Sequence, residues 1–220
     1  MLGLLTGCAS RSSVVSETVA AVWAQKWGNA ATDVIPGNLD LRYRYMRIEV
    51  QGRPPVLMVM GYADNDAAGE IETWYSAGRE VIKTQNGRIL STAGLETDWV
   101  AVRFPVPAPG WEAVPKDGVS FQRERDQMPG YAFGLLDGLK VTPLGMAPVE
   151  HLPASLPLPV ARTYQWFREE SNAAAGNSLP AAWYARGLHR GMQTIVYSEQ
   201  CLSPSLCLKM QRWPVLEATQ

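Results

Sequence analysis

From residue 39 onward the chain repeats one device: a short run in which apolar and polar side chains alternate, closed by a turn signal. Alternation with a period of two places one set of side chains on a buried face and the other in water, which is the pattern of a β-strand rather than a helix. Leu41, Tyr43 and Tyr45 alternate with Arg42 and Arg44, and Met46, Ile48 and Val50 then alternate with Arg47 and Glu49. The apolar set shifts by one residue between Tyr45 and Met46, which predicts a β-bulge there. Val56 to Ala63 and Ile71 to Ser76 read as the next strands. Glu80 to Gln85 and Arg88 to Thr92 flank Asn86-Gly87, a strong hairpin signal. Further strands are expected over 99–104, 119–125, 131–136, 138–143, 160–169, 181–186, 193–198 and 206–213. The total is roughly twelve, with turn signals at close intervals. The fold class is therefore all-β: an antiparallel sandwich or partly closed β-barrel.

Two stretches break the pattern. Residues 105–117 hold four prolines and read as a loop, and residues 143–159 hold five and read as a connector over the surface. Ahead of the strands, Val15, Val19, Val22, Trp23 and Trp27 fall at helical spacing, with Ser16 placed as an N-cap and Gly28-Asn29 as a stop. One N-terminal helix is expected over 15–28. The division that follows is a residual signal segment over 1–7, a tether over 8–14 and a single β-rich domain over 15–220.

Hydrophobic residues make up 46% of the chain and charged residues 19%, a globular balance. The formal net charge of −1 offers no field to recruit nucleic acid. The charged cluster Arg123-Glu124-Arg125-Asp126 reads as a solvated strand face. No apolar run approaches the roughly 18 residues that span a bilayer as a helix.

Membrane attachment is expected from a lipid instead. The segment Leu5-Thr6-Gly7-Cys8 resembles the lipobox of bacterial lipoproteins, in which small residues precede the cysteine that is acylated. Ala9 follows Cys8, and the absence of Asp there favours sorting to the outer membrane. A complete signal carries a positive segment and a longer apolar stretch, so the true start is expected upstream of Met1. The other two cysteines, Cys201 and Cys207, enclose Ser203-Pro204-Ser205, a turn that can bring them within disulfide reach. Disulfides persist in oxidising compartments such as the periplasm. A metal site is the competing reading, but His151 and His189 have no metal-ligand spacing to these cysteines. No metal and no cofactor are expected.

The chain shows no Gly-x-Ser-x-Gly, no His-Glu-x-x-His, no phosphate loop and no dinucleotide fingerprint. His189 lies in Gly187-Leu188-His189-Arg190-Gly191 and reads as an exposed or capping turn residue. His151 lies in the proline-rich connector. Carboxylates that could serve as a glycan-cleaving pair include Glu70, Glu72, Asp98 and Asp126. Aromatic rings suit the C–H faces of sugars. Trp74, Trp99 and Trp166, inside alternating strands, are expected in the core. Trp111 in the proline-rich loop, and Trp183 with Tyr184, are the candidate glycan-binding residues.

Several segments together resemble the YjbF/GfcB family of group 4 capsule polysaccharide lipoproteins. They include 41–47, Gly52-Arg53-Pro54, Gly61-Tyr62, Glu72 to Ala77, Asn86 to Ile89, Thr92 to Leu95, Cys201 to Pro204, Leu206-Cys207 and Gln211 to Pro214. The resemblance implies an outer-membrane lipoprotein on the periplasmic side, linked to the production or export of an extracellular polysaccharide and encoded beside a β-barrel-type partner. It carries over Cys8 for the lipid and the Cys201–Cys207 pair, and no catalytic residue. The reading is a non-enzymatic factor whose partners are the outer membrane, a β-barrel protein and the polysaccharide, with no nucleic acid. Two alternatives stand beside it: a glycan lyase or hydrolase using a carboxylate pair, and a purely structural envelope lipoprotein.

Overall fold

The structure is a computed structural model that describes residues 39–173 and 178–215. Cys8, the tether and the helix expected over 15–28 lie outside the described residues.

Twelve strands form one antiparallel sheet: β1 (Tyr45–Val50), β2 (Val56–Asp66), β3 (Gly69–Tyr75), β4 (Val81–Gln85), β5 (Arg88–Ala93), β6 (Asp98–Arg103), β7 (Val119–Met128), β8 (Ala132–Leu144), β9 (Gln165–Ala173), β10 (Ala182–His189), β11 (Met192–Ser203) and β12 (Leu206–Trp213). The order is β5-β4-β3-β2-β1-β12-β11-β10-β9-β8-β7-β6. Each strand pairs with its neighbour in sequence except β5 with β6, and β1 pairs with β12, so the chain is an up-and-down meander rolled into a nearly closed barrel. The seam lies between β5 and β6, where side chains replace the ladder. Thr92 Oγ1 donates to Asp98 (2.8 Å), the Trp99 amide donates to Thr92 Oγ1 (3.0 Å), and the amides of Gly94 and Leu95 donate to Asp98 (3.0 and 3.2 Å).

The expected bulge at Tyr45–Met46 is absent, because the strand starts later than the alternation suggests. Residues 41–43 form a turn, and β1 pairs without a slip from Tyr45↔Trp213 to Val50↔Leu208. Met46 and Ile48 face the interior, while Tyr45 packs outside with Leu39, Leu57 and Val59. Bulges occur instead near Gly61, Val100 and Phe133 and in the β4–β5 and β10–β11 pairs. The runs expected separately over 131–136 and 138–143 are one long strand, β8. Val160 belongs to α1 (Leu158–Ala161), a single helical turn, and β9 begins only at Gln165.

A barrel of this many strands encloses a lumen if its cross-section is round. Here opposite walls touch. The Ile89 amide of β5 donates to Gln200 of β11 (3.1 Å), and the Trp99 indole donates to the Leu202 carbonyl (3.0 Å). Trp74, Trp99, Met58, Ile82, Ile89, Leu202 and Leu208 fill the space between at 0–1% exposure. What remains among the described residues includes two cavities of about 10 Å³ each, room for one water apiece.

The proline-rich connector 145–164 lies as a strap along the outer wall. Ala147, Leu156 and Ala161 pack there on Trp166, Ala185, Val196 and Tyr197. Gly187 permits this approach, since a Cβ on it would lie 2.4 Å from the Tyr164 ring. Beside the Tyr45–Leu57–Val59 cluster, the outer wall carries charges along the strands, with Glu49, Lys83, Arg103, Glu124, Lys140, Arg168 and Lys209 pointing out. A barrel embedded in lipid carries an apolar band there, so this wall is built for water.

Candidate functional site

The densest chemistry lies inside the barrel, in three groups built alike: a tryptophan, an arginine over its face and a carboxylate on the arginine. In the first, Arg212 of β12 sits 4.8 Å from the Trp74 ring centre and donates to Glu72 of β3 (2.5 Å). Glu72 also accepts from Thr84 Oγ1 (3.3 Å), which accepts the Trp74 indole N–H (3.1 Å). In the second, Arg88 of β5 sits 3.9 Å over Trp111 and donates to Glu169 of β9 (3.1 Å). In the third, Arg123 and Arg125 of β7 both bind Asp137 of β8, at 2.8 Å each, and both lie over Trp99, at 4.5 and 5.5 Å.

Burying these charges costs several kcal/mol per ion before pairing. Charge-assisted contacts to the carboxylates and the negative ring faces offset that cost. The sequence pattern marked 123–126 as a solvated face, and the structure corrects this. The period of two splits the cluster, so Arg123 (7% exposed) and Arg125 (3%) turn inward while Glu124 turns outward to Arg103 (2.9 Å).

His189 is likewise not an exposed turn residue. It ends β10 at 8% exposure, and its pKa is pushed down to about 4, by burial first and then by the charges of Arg212, Arg190 and Arg44.

The aromatic candidates separate. Trp111, in a 3-10 turn within the proline-rich β6–β7 connection, is 5% exposed. Its ring packs against Phe167 (5.0 Å) and Tyr184 (4.7 Å), and its indole donates to the Asn86 carbonyl (2.9 Å). Tyr184 is fully buried, its phenol pushed well above its ordinary pKa by burial and by Glu169. Neither ring offers a face to a sugar in this conformation. The proline-rich context of Trp111 suggested a surface loop, but the loop folds its tryptophan back onto Arg88.

Trp183 is half-buried and faces outward, opposite Glu199 of β11 and Arg168 of β9. His151 of the strap stacks on it at 4.2 Å and bonds Glu199 through Nδ1 (3.0 Å). Arg168 lies 5.5 Å from the ring centre. Glu199 continues the row to Lys209, and Lys209 to Glu49. The sequence signal for this ledge was the alternation of β9, β10 and β12, but its cross-strand alignment depends on register, which sequence alone did not supply.

The carboxylates weighed for catalysis are engaged elsewhere. Glu70 and Glu72 share Arg44 (2.7 and 3.3 Å), Asp98 holds the seam, and Arg103 and the Gly134 amide keep Asp126 below the usual carboxylate range. Among the described residues no group of three His, Cys, Asp or Glu side chains is placed to hold a metal. Cys201 and Cys207 are joined, on directly paired positions of β11 and β12 with Cα atoms 3.8 Å apart.

The family model described as "Group 4 capsule polysaccharide lipoprotein gfcB, YjbF" matches residues 19–142. No curated relative matches. The solved structure of the hypothetical lipoprotein YmcC from Escherichia coli (K12) is similar, with a TM-score of 0.66 at 16% identity, over 96% of this chain and 100% of that chain. At that identity the likeness is one of fold.

Proposed function

Because the chain belongs to the YjbF family of group 4 capsule polysaccharide lipoproteins, we propose that it is an outer-membrane lipoprotein, acylated at Cys8 and facing the periplasm, that serves the production or export of capsular or extracellular polysaccharide without catalysing a reaction on it. The observation that carries the non-enzymatic reading is the filled barrel. Its interior is packed with tryptophan, aliphatic and paired charged side chains, leaving cavities of about 10 Å³. A sugar ring is many times larger than either, so neither of these two spaces among the described residues admits a polymer. The work passes through the outer wall, the loops and the anchor. A multi-chain lipid holds such a domain stably at the membrane, within reach of an outer-membrane β-barrel partner.

Of the aromatic candidates, Trp183 is the one that is only half-buried, on the ledge where His151 stacks against it, and it is the residue we assign to polymer contact. The test is the pure protein mixed with purified polysaccharide. The expected result is unchanged polymer length and reducing-end count, with retention of the polymer weakened several-fold in Trp183→Ala. Shortening of the polymer by the wild-type protein would establish an enzyme and overturn the proposal.

A further inference from the structure

The barrel has two unlike ends. One carries the β1–β2, β3–β4, β5–β6, β7–β8 and β11–β12 turns, with the disulfide hairpin and Tyr131 at the tip of β7–β8. Leu39, the first described residue, lies at the other end. There the β10–β11 hairpin leans on the incoming segment. Arg190, at its tip, donates from both terminal nitrogens to the carbonyls of Leu41 (2.9 Å) and Tyr43 (2.8 Å). Near this clamp in the chain, four large apolar side chains face solvent: Leu41 (61% exposed) and Tyr43 (38%) in the clamped segment, and Leu188 (59%) and Met192 (55%) on opposite faces of the hairpin. Arg42, between Leu41 and Tyr43, has its side chain 83% exposed and paired to Asp40 (2.7 Å).

We infer that this end of the barrel docks on a phospholipid bilayer surface, with Leu41, Leu188 and Met192 entering the headgroup region and Tyr43 at its boundary. The inference rests on the lipid-anchored reading above.

Two arguments select the bilayer as occupant. The first is composition. Aliphatic side chains and an aromatic ring with a polar tip are what an interface of hydrocarbon and headgroups takes up. The second is continuity with the anchor. Cys8 to Leu39 is 31 residues, which spans at most about 110 Å extended. That length bounds how far this end can lie from a membrane that holds the lipid, and keeps it there at an effective concentration on the order of mM. At that concentration a weak patch suffices to set which end faces the lipid. The opposite end then points into the periplasm with Tyr131 (75% exposed) and Phe133 (61%) at its rim.

The test uses the full-length acylated protein carrying Met192→Cys or Tyr131→Cys, each labelled with a polarity-sensitive maleimide dye. The protein is reconstituted on vesicles of phosphatidylethanolamine and phosphatidylglycerol. Iodide quenching of the Met192→Cys label is expected to fall several-fold on the vesicles, with a blue-shifted emission, while the Tyr131→Cys label stays open. Adding Leu188→Asp is expected to restore quenching without loss of circular dichroism. Equal quenching at both ends of vesicle-bound protein overturns the inference. So does shielding of the Met192→Cys label before vesicles are added, which would show that residues 15–28 or a second copy cover the patch. Acylation is read by mass in the same samples. If Cys8 proves bare, the comparison is repeated on protein held to nickel-chelating lipid by an N-terminal histidine tag, so that failure of the anchor and failure of the docking surface stay distinguishable.

Discussion

Arg88 shows at a single residue how this core works. Its guanidinium is 5% exposed, lies over Trp111 and binds a Glu169 that is itself 2% exposed. Removing one partner strands a buried charge, whereas removing both leaves a packed neutral site. Arg88→Met is expected to cost about 3–5 kcal/mol in urea unfolding, and Arg88→Met with Glu169→Gln to recover most of it. His189 makes a second prediction. Its folded pKa of about 4 lies below the unfolded value of 6.5, so the native state resists protonation. The unfolded state takes up the proton first as pH falls. Stability is therefore full above pH 6.5 and lost progressively down to about pH 4. His189→Gln is expected to flatten that part of the stability profile. At this scale the sequence was only partly legible. Trp74, Trp99 and Trp166 in alternating strands pointed to the core, and they are there. Arg88, Arg123 and Arg125 gave no such signal, because an arginine paired across the barrel reads like one in water until its partner's strand is placed.

At the scale of elements, the hairpins carried most of the legible information. Asn86-Gly87 forms the expected turn, with both residues at positive φ (50° and 79°). The turn also packs inward: a Cβ on Gly87 would lie 2.5 Å from Ile195. Gly87→Ala is thus expected to cost more than the about 1–2 kcal/mol of left-handed backbone strain alone, measured as a fall in Tm. The β11–β12 hairpin is tied by Cys201–Cys207, which closes a ring small enough that chain entropy assigns it about 2 kcal/mol. Cys201→Ser with Cys207→Ser is expected to lose that amount in urea unfolding under oxidising conditions and nothing under reducing ones. Boundaries were less legible than pairings. Leu41 and Tyr43 alternate as a strand does yet form a turn, because the Arg190 clamp takes their carbonyls. Val160 alternates too, but prolines at 157 and 159 start a helical turn there.

For the whole molecule, the count of roughly twelve strands was readable from turn spacing, and the choice between sandwich and barrel was not. That choice depends on β1 pairing with β12, a contact between the two ends of the described chain. The collapse of the barrel follows from side chains that reach across it among the described residues. On the proposed reading, the part it plays in polysaccharide production passes through its surface and its anchor. The most direct test is the amount of polysaccharide on the surface of cells lacking the protein and supplied with either the wild-type chain or Cys8→Ser at equal abundance. The account expects the wild type to restore the polymer and the Cys8→Ser chain, folded and free in the periplasm, to leave it near the deletion level. Full restoration by the unacylated chain would contradict it.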